Sequence, residues 1–179
     1  MGQFAKFADG VAKAVLVSMV FLLSACAGYS GYTLKPGLAT LPEVVATMGE
    51  PAMRWDGPDG RVQLAYPRGP SGTKTFMAYF NADGVLVRID EVLNGEHFAR
   101  IVSGKSNQDD VLKTLGPPNP SWTAYFAARD ELVWEWRFCD SWMQTARFDV
   151  LFDGSTGVVR STQVSPDYFG RRIGMPCAN

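Results

Sequence analysis

The sequence predicts an α+β protein built from two tandem units, each a short helix followed by a three-stranded antiparallel meander. Three observations predict it. First, GLATLPEVVATMGEP (residues 37–51) lines up without gaps on GKSNQDDVLKTLGPP (residues 104–118), which marks one structural unit written twice. Second, apolar residues recur at every other position after each stretch, the pattern of strands with one buried and one wet face. Third, Asp83-Gly84 and the turn from Gly154 to Gly157 are hairpin signals between such runs.

The chain opens on an export signal. Lys6 and Lys13 give a weakly positive start, and Ala14 to Leu23 is apolar except for Ser18. A spanning helix needs roughly 20 apolar residues, so this run fits the core of a signal peptide and not a membrane span. Leu23-Ser24-Ala25-Cys26 then resembles the bacterial lipobox, a Leu and two small residues before a Cys that is acylated as the first mature residue. The alternatives are an ordinary signal peptide with a chance Cys, or a short buried helix. Lys6 stands where an N-myristoylation motif wants Ser or Thr. Acyl chains at about 0.8 kcal/mol per buried CH2 hold a soluble domain on a bilayer. Ala27 stands where Asp would resemble an inner-membrane retention signal, which implies the periplasmic face of the outer membrane.

The expected organisation is a signal peptide over 1–25, a tether over 26–36, the first unit over 37–94, the second over 95–165 and an irregular tail over 166–179. With Lys6, Lys13 and Asp9 removed, the 17 basic and 18 acidic residues become 15 and 17. That near-balance argues against nucleic acid as a partner, which needs a basic face. Of three Cys, the lipid takes one, leaving Cys139 and Cys177. In an oxidising compartment that even remainder suggests one disulfide, the alternative being two separate thiols with Cys139 filling a strand position.

In each unit the helix is bounded by its own residues. Thr40 and Asn107 are N-caps, with Glu43 and Asp110 three residues on as in a capping box. Leu41, Val44, Val45 and Met48 make one apolar stripe, and Val111, Leu112 and Leu115 the other. Gly49 and Gly116 provide left-handed stops, each followed two residues later by Pro. The first meander is expected from Val62, Leu64 and Tyr66, then Phe76, Ala78 and Phe80, then Val85, Val87 and Ile89. The second is expected from Trp134, Trp136 and Phe138, then Phe148, Val150 and Phe152, with Val158 opening the last strand. Glu96 to Val102 predicts an extra helical turn.

This doubled pattern, with its Phe-x-x-x-Gly-Val ending, resembles the SmpA/OmlA (BamE-like) family of small outer-membrane lipoproteins. The helix-and-strand layout, twice over, is similar to the β-lactamase inhibitor protein-like fold. YPRGPSG (residues 66–72) also looks like the hairpin of proteobacterial lipoproteins with two such units. The resemblance implies a non-enzymatic interaction module acting in envelope or outer-membrane protein assembly, with envelope proteins, including the β-barrel assembly machinery, as partners. The doubling departs from the single unit of the assembly subunit. It gives a second function reading, a periplasmic protein inhibitor of an enzyme.

Chemistry-bearing motifs are few. His97 is the sole histidine, so a His-based triad would need it and a metal cluster does not form around it easily; in its predicted helical turn it reads as a partly buried or surface side chain. Gly104-Lys105-Ser106 suggests a phosphate loop, but Ala99 stands where its first glycine belongs, and no nucleotide is expected. Asp109 and Asp110 sit in a first helical turn, where the helix dipole favours acids. No cofactor and no catalytic set is expected. Trp134 and Trp136 suit a core; Glu135, Arg137 and Asp149 fall on the opposite strand face, a possible partner surface. Arg68, in the Pro- and Gly-rich hairpin, is the candidate exposed partner contact.

Overall fold

The computed structural model of the chain describes residues 30–68, 72–169, 172–173 and 177. The lipobox and Cys26 lie outside the described residues, as do Gly69, Pro70 and Ser71 of the hairpin and most of the tail beyond Phe169. Among the described residues no helix is long and apolar enough to cross a membrane.

The first helix, α1 (Leu41–Met48), begins where the sequence places it. The Thr40 backbone N–H and hydroxyl both donate to the Glu43 carboxylate, at 2.7 and 3.0 Å. Four strands follow as a meander: β1 (Met53–Asp56), β2 (Val62–Arg68), β3 (Lys74–Phe80) and β4 (Leu86–Glu91), in the spatial order β1-β2-β3-β4. A short helix, α2 (Gly95–Phe98), leads to α3 (Gln108–Leu115). Asn107 caps α3 by accepting from Asp110 N–H at 3.0 Å, and the Asp110 carboxylate returns to Asn107 N–H at 2.9 Å. The second sheet runs β5 (Thr123–Phe126), β6 (Glu131–Cys139), β7 (Thr145–Asp153) and β8 (Val159–Pro166), again in chain order. A short pair, β9 (Tyr168–Phe169) and β10 (Arg172–Ile173), follows.

This corrects the expected fold class. Among the described residues antiparallel sheet dominates, in two four-stranded sheets, and the three α-helices are short; they do not form two units of one helix and three strands. The added strands are the edges β1 and β5, which pair antiparallel with β2 and β6. Their ladders satisfy backbone groups that the β2 and β6 edges would otherwise leave open. The phase of β4 is also corrected. A bulge opposite Tyr79 and Phe80 turns Leu86 fully inward and leaves Val87 half exposed.

The two copies share fine detail. Val85 bridges the cap residue Thr40, as Val158 bridges Asn107. Gly37 N–H donates to the Leu86 carbonyl and Gly104 N–H to that of Val159, both at 2.8 Å. The bulge on β4 recurs on β8, opposite Leu151 and Phe152.

Two cores fix the layering. Val44 and Met48 of α1 pack with Leu64, Tyr66, Phe76, Ala78, Phe80 and Leu86 on the front of the first sheet. The back of that sheet, through Ala65 and Met77, joins a second core with Phe98, Val111, Leu115, Trp136, Phe148 and Phe152. The order is therefore α1, first sheet, α2 with α3, second sheet. Gly116 shows how close the stack is. Its φ of +77° favours glycine, and a Cβ there would stand 2.9 Å from Thr75 Cγ2 and 3.5 Å from Ala65 Cβ.

Candidate interaction surfaces

The stack ends at the second sheet, and its outer face records that. Ala65 pairs with Met77 across β2 and β3, on the buried back of the first sheet. The equivalent pair on β6 and β7 is Glu135 with Asp149. A polar face of this kind suits a sheet at the outside of a stack of repeats. The charges are tied together: Arg137 Nε lies 3.5 Å from both Glu135 and Asp167, and Arg147 lies 3.3 Å from Glu135. The Arg137 guanidinium also stacks 4.1 Å from the Trp122 ring centroid. Burial, then the Glu135 charge, raises the Asp149 carboxyl above the usual range. Glu135, Arg137 and Asp149 thus share this face, as expected, but Glu135 and Arg137 are held partly covered within a network of ion pairs.

A more open feature lies at the side of the first sheet. There a cleft of about 870 Å3 has Trp55, Gln63 and Tyr79 among its walls, with Arg54, Arg88 and Lys113 around it. Trp55 and Tyr79 are half-buried against the second core, so each ring has one packed side. The Gln63 amide donates to the Lys113 carbonyl at 2.6 Å, which closes the cleft against α3. The Arg88 guanidinium lies 3.8 Å from the Tyr79 ring centroid and 2.7 Å from Asp90. Burial raises the Tyr79 hydroxyl above its ordinary value, partly offset by the Arg88 charge. Arg54 pairs with Asp56 at 2.7 Å and Lys113 with Asp109 at 2.5 Å. The result is an aromatic floor with a rim of charges already paired within the chain. The sequence reading missed this cleft, although Trp55 with flanking Arg54 and Asp56 was the available signal.

Arg68 is half-buried. Its guanidinium donates to the Met48 carbonyl at the end of α1 and lies 5.1 Å from the Tyr66 ring centroid. A cation there complements the negative end of a helix. Beneath it, burial pushes the Tyr66 hydroxyl up to about 12.

Cys139 and Cys177 are joined, with Cα atoms 5.9 Å apart. Beside them, the β6–β7 tip exposes Trp142 and Met143, and Cys177 N–H donates to the Met143 carbonyl at 2.9 Å.

His97 is buried in α2, with Nδ1 3.0 Å from the Asn94 side-chain oxygen. Burial, then Arg100, lowers its pKa. Ser106 accepts from Val102 N–H at 3.0 Å, within the entry to α3. Among the described residues no group of three His, Cys, Asp or Glu is placed to hold a metal ion.

Compared with protein-family models, with curated proteins and with solved structures, the chain gives no match.

Proposed function

We propose that this chain is a non-enzymatic lipoprotein, anchored through Cys26 to the periplasmic face of the outer membrane. There it serves envelope or outer-membrane protein assembly by holding a protein partner. The observation that carries the contact role is the cleft beside the first sheet. Half-buried Trp55 and Tyr79 are ringed by charges whose partners lie in the chain itself. An aromatic centre within a polar rim is the make-up of a protein–protein contact. Rim guanidiniums with their own carboxylates do not call for an added anion. The placement is supported by the leader and lipobox, and the assembly role by the resemblance of the doubled helix motif to the SmpA/OmlA family.

Photocrosslinking from positions 55 and 88 in intact envelopes, followed by mass spectrometry, tests this. Recovery of β-barrel assembly subunits or another envelope assembly protein supports the reading. Recovery of one soluble hydrolase instead moves the assignment to an inhibitor. Adducts to glycan strands alone would overturn both. Fractionation of Cys26→Ser tests the anchor, since that variant should become soluble.

A further inference from the structure

We propose that the loop from Ser30 to Leu38 seats the body directly on the bilayer, with Tyr32 and Leu38 as interfacial anchors. This rests on the reading of Cys26 as the lipidated residue. Only three residues, Ala27, Gly28 and Tyr29, lie between Cys26 and Ser30, which makes four residue-to-residue steps. At 3.3–3.6 Å per extended residue, that places the first fixed part of the body within about 14 Å of the acylated Cys.

The segment expected to act as a tether gives no further slack. Gly31 is buried with φ +70°, and a Cβ there would stand 2.7 Å from Ile89 Cδ1 and 2.9 Å from Met48 Sδ. Leu34 packs on the front core and its N–H donates to the Gly31 carbonyl at 2.9 Å. Gly37 N–H is bound to Leu86, and Ala39 N–H to Lys35 at 2.9 Å. The loop is therefore part of the body.

On that fixed loop Tyr32 is 87% exposed and Leu38 72% exposed. Lys35 is exposed between them in sequence. A Tyr ring with a polar tip suits the headgroup level, and a Lys stem can lie along acyl chains with its ammonium in water. A bilayer brought this near by a short lead covers the Tyr32 and Leu38 side chains without further ordering of the chain. Seating also sets orientation. The loop packs on the front of the first sheet, whereas the second sheet lies across its back. The second sheet, with its charged outer face and the β6–β7 tip that carries Trp142, then lies on the far side of the first sheet from the loop.

The test uses the full lipidated chain in phosphatidylethanolamine/phosphatidylglycerol vesicles, with an environment-sensitive fluorophore on Tyr32→Cys, Leu38→Cys or Trp142→Cys. Vesicle binding should blue-shift the emission at 32 and 38, a lipid carrying a shallow nitroxide should quench most of it, and the emission at 142 should stay unchanged in both respects. A fluorophore on Lys35→Cys should lose its quenching in a Tyr32→Ser, Leu38→Ser background that still floats with the vesicles. Floating protein with equal responses at 32 and 142, or none at 32, overturns the seating while leaving the anchor intact. Protein that does not float overturns the anchor itself, and the seating with it.

Discussion

Gly49 and Gly116 end equivalent helices with nearly the same backbone, φ +83° and +77°, both with ψ near 180°. Their surroundings differ. A Cβ on Gly49 meets nothing within 4 Å, whereas one on Gly116 meets Thr75 Cγ2 at 2.9 Å, with Ala65 and Met77 behind it. Alanine at Gly49 therefore measures backbone strain alone, about 1–3 kcal/mol for a conformation that only glycine adopts freely. Alanine at Gly116 carries the same strain and adds an overpacking cost of about 1–3 kcal/mol between the α3 end and the first sheet. Urea unfolding followed by circular dichroism should give Gly116→Ala the larger loss by that difference, or about 2–12 °C in Tm for a chain of this size. Thr75→Ser removes the clashing methyl and keeps the hydroxyl. Adding it to Gly116→Ala should recover part of the difference, and adding it to Gly49→Ala should not. Equal losses at the two glycines, or no coupling to Thr75, would refute the close-approach argument.

Three further outcomes are expected. Replacing Cys139 and Cys177 together by Ser opens a link across a sequence separation of 38; a chain-entropy argument sets the stability loss at up to about 4 kcal/mol, measurable by urea unfolding with and without reductant. The pKa of His97 is lowered by folding, so the unfolded chain takes up its proton first. Its contribution is present above the ordinary value of about 6.5 and is lost as the pH falls through the lowered folded value; Tm against pH should flatten there in His97→Gln. Arg68→Ala removes a charge-assisted bond to the Met48 carbonyl and should cost about 1.5–3 kcal/mol by thermal unfolding. If Arg68 also meets a partner, its crosslinks should weaken beyond what Tyr66→Phe, a control beneath it, produces.

The helix limits were legible because capping is local: Thr40 with Glu43, and Asn107 with Asp110, need only a spacing of three. The central strands were legible from alternation at Leu64, Tyr66, Phe148 and Phe152. Edge strand β5 was not, since all four of its residues are exposed and carry no inside–outside contrast. The phase of β4 was lost because a bulge changes the period within the strand, and no residue there announces it. The burial of Ala65 and Met77 required knowing that α3 packs behind them, a contact made far along the chain. Cys139 and Cys177 were legible as a pair by count, and the structure joins them. The cleft escaped notice because its floor combines Trp55 and Tyr79 from separate strands with the end of α3.

Burial of the first sheet on both faces also bears on how the chain is made. The N-terminal copy is synthesised first. Until α3 and the second sheet arrive, Ala65, Met77 and Tyr79 have no cover on their side. The first copy is therefore an unfinished product for as long as the second is being delivered. Truncation after Asn94 should yield a sticky half-domain that self-associates, and the intact chain should melt as one cooperative body. Duplication here has produced mutual dependence in place of a spare part.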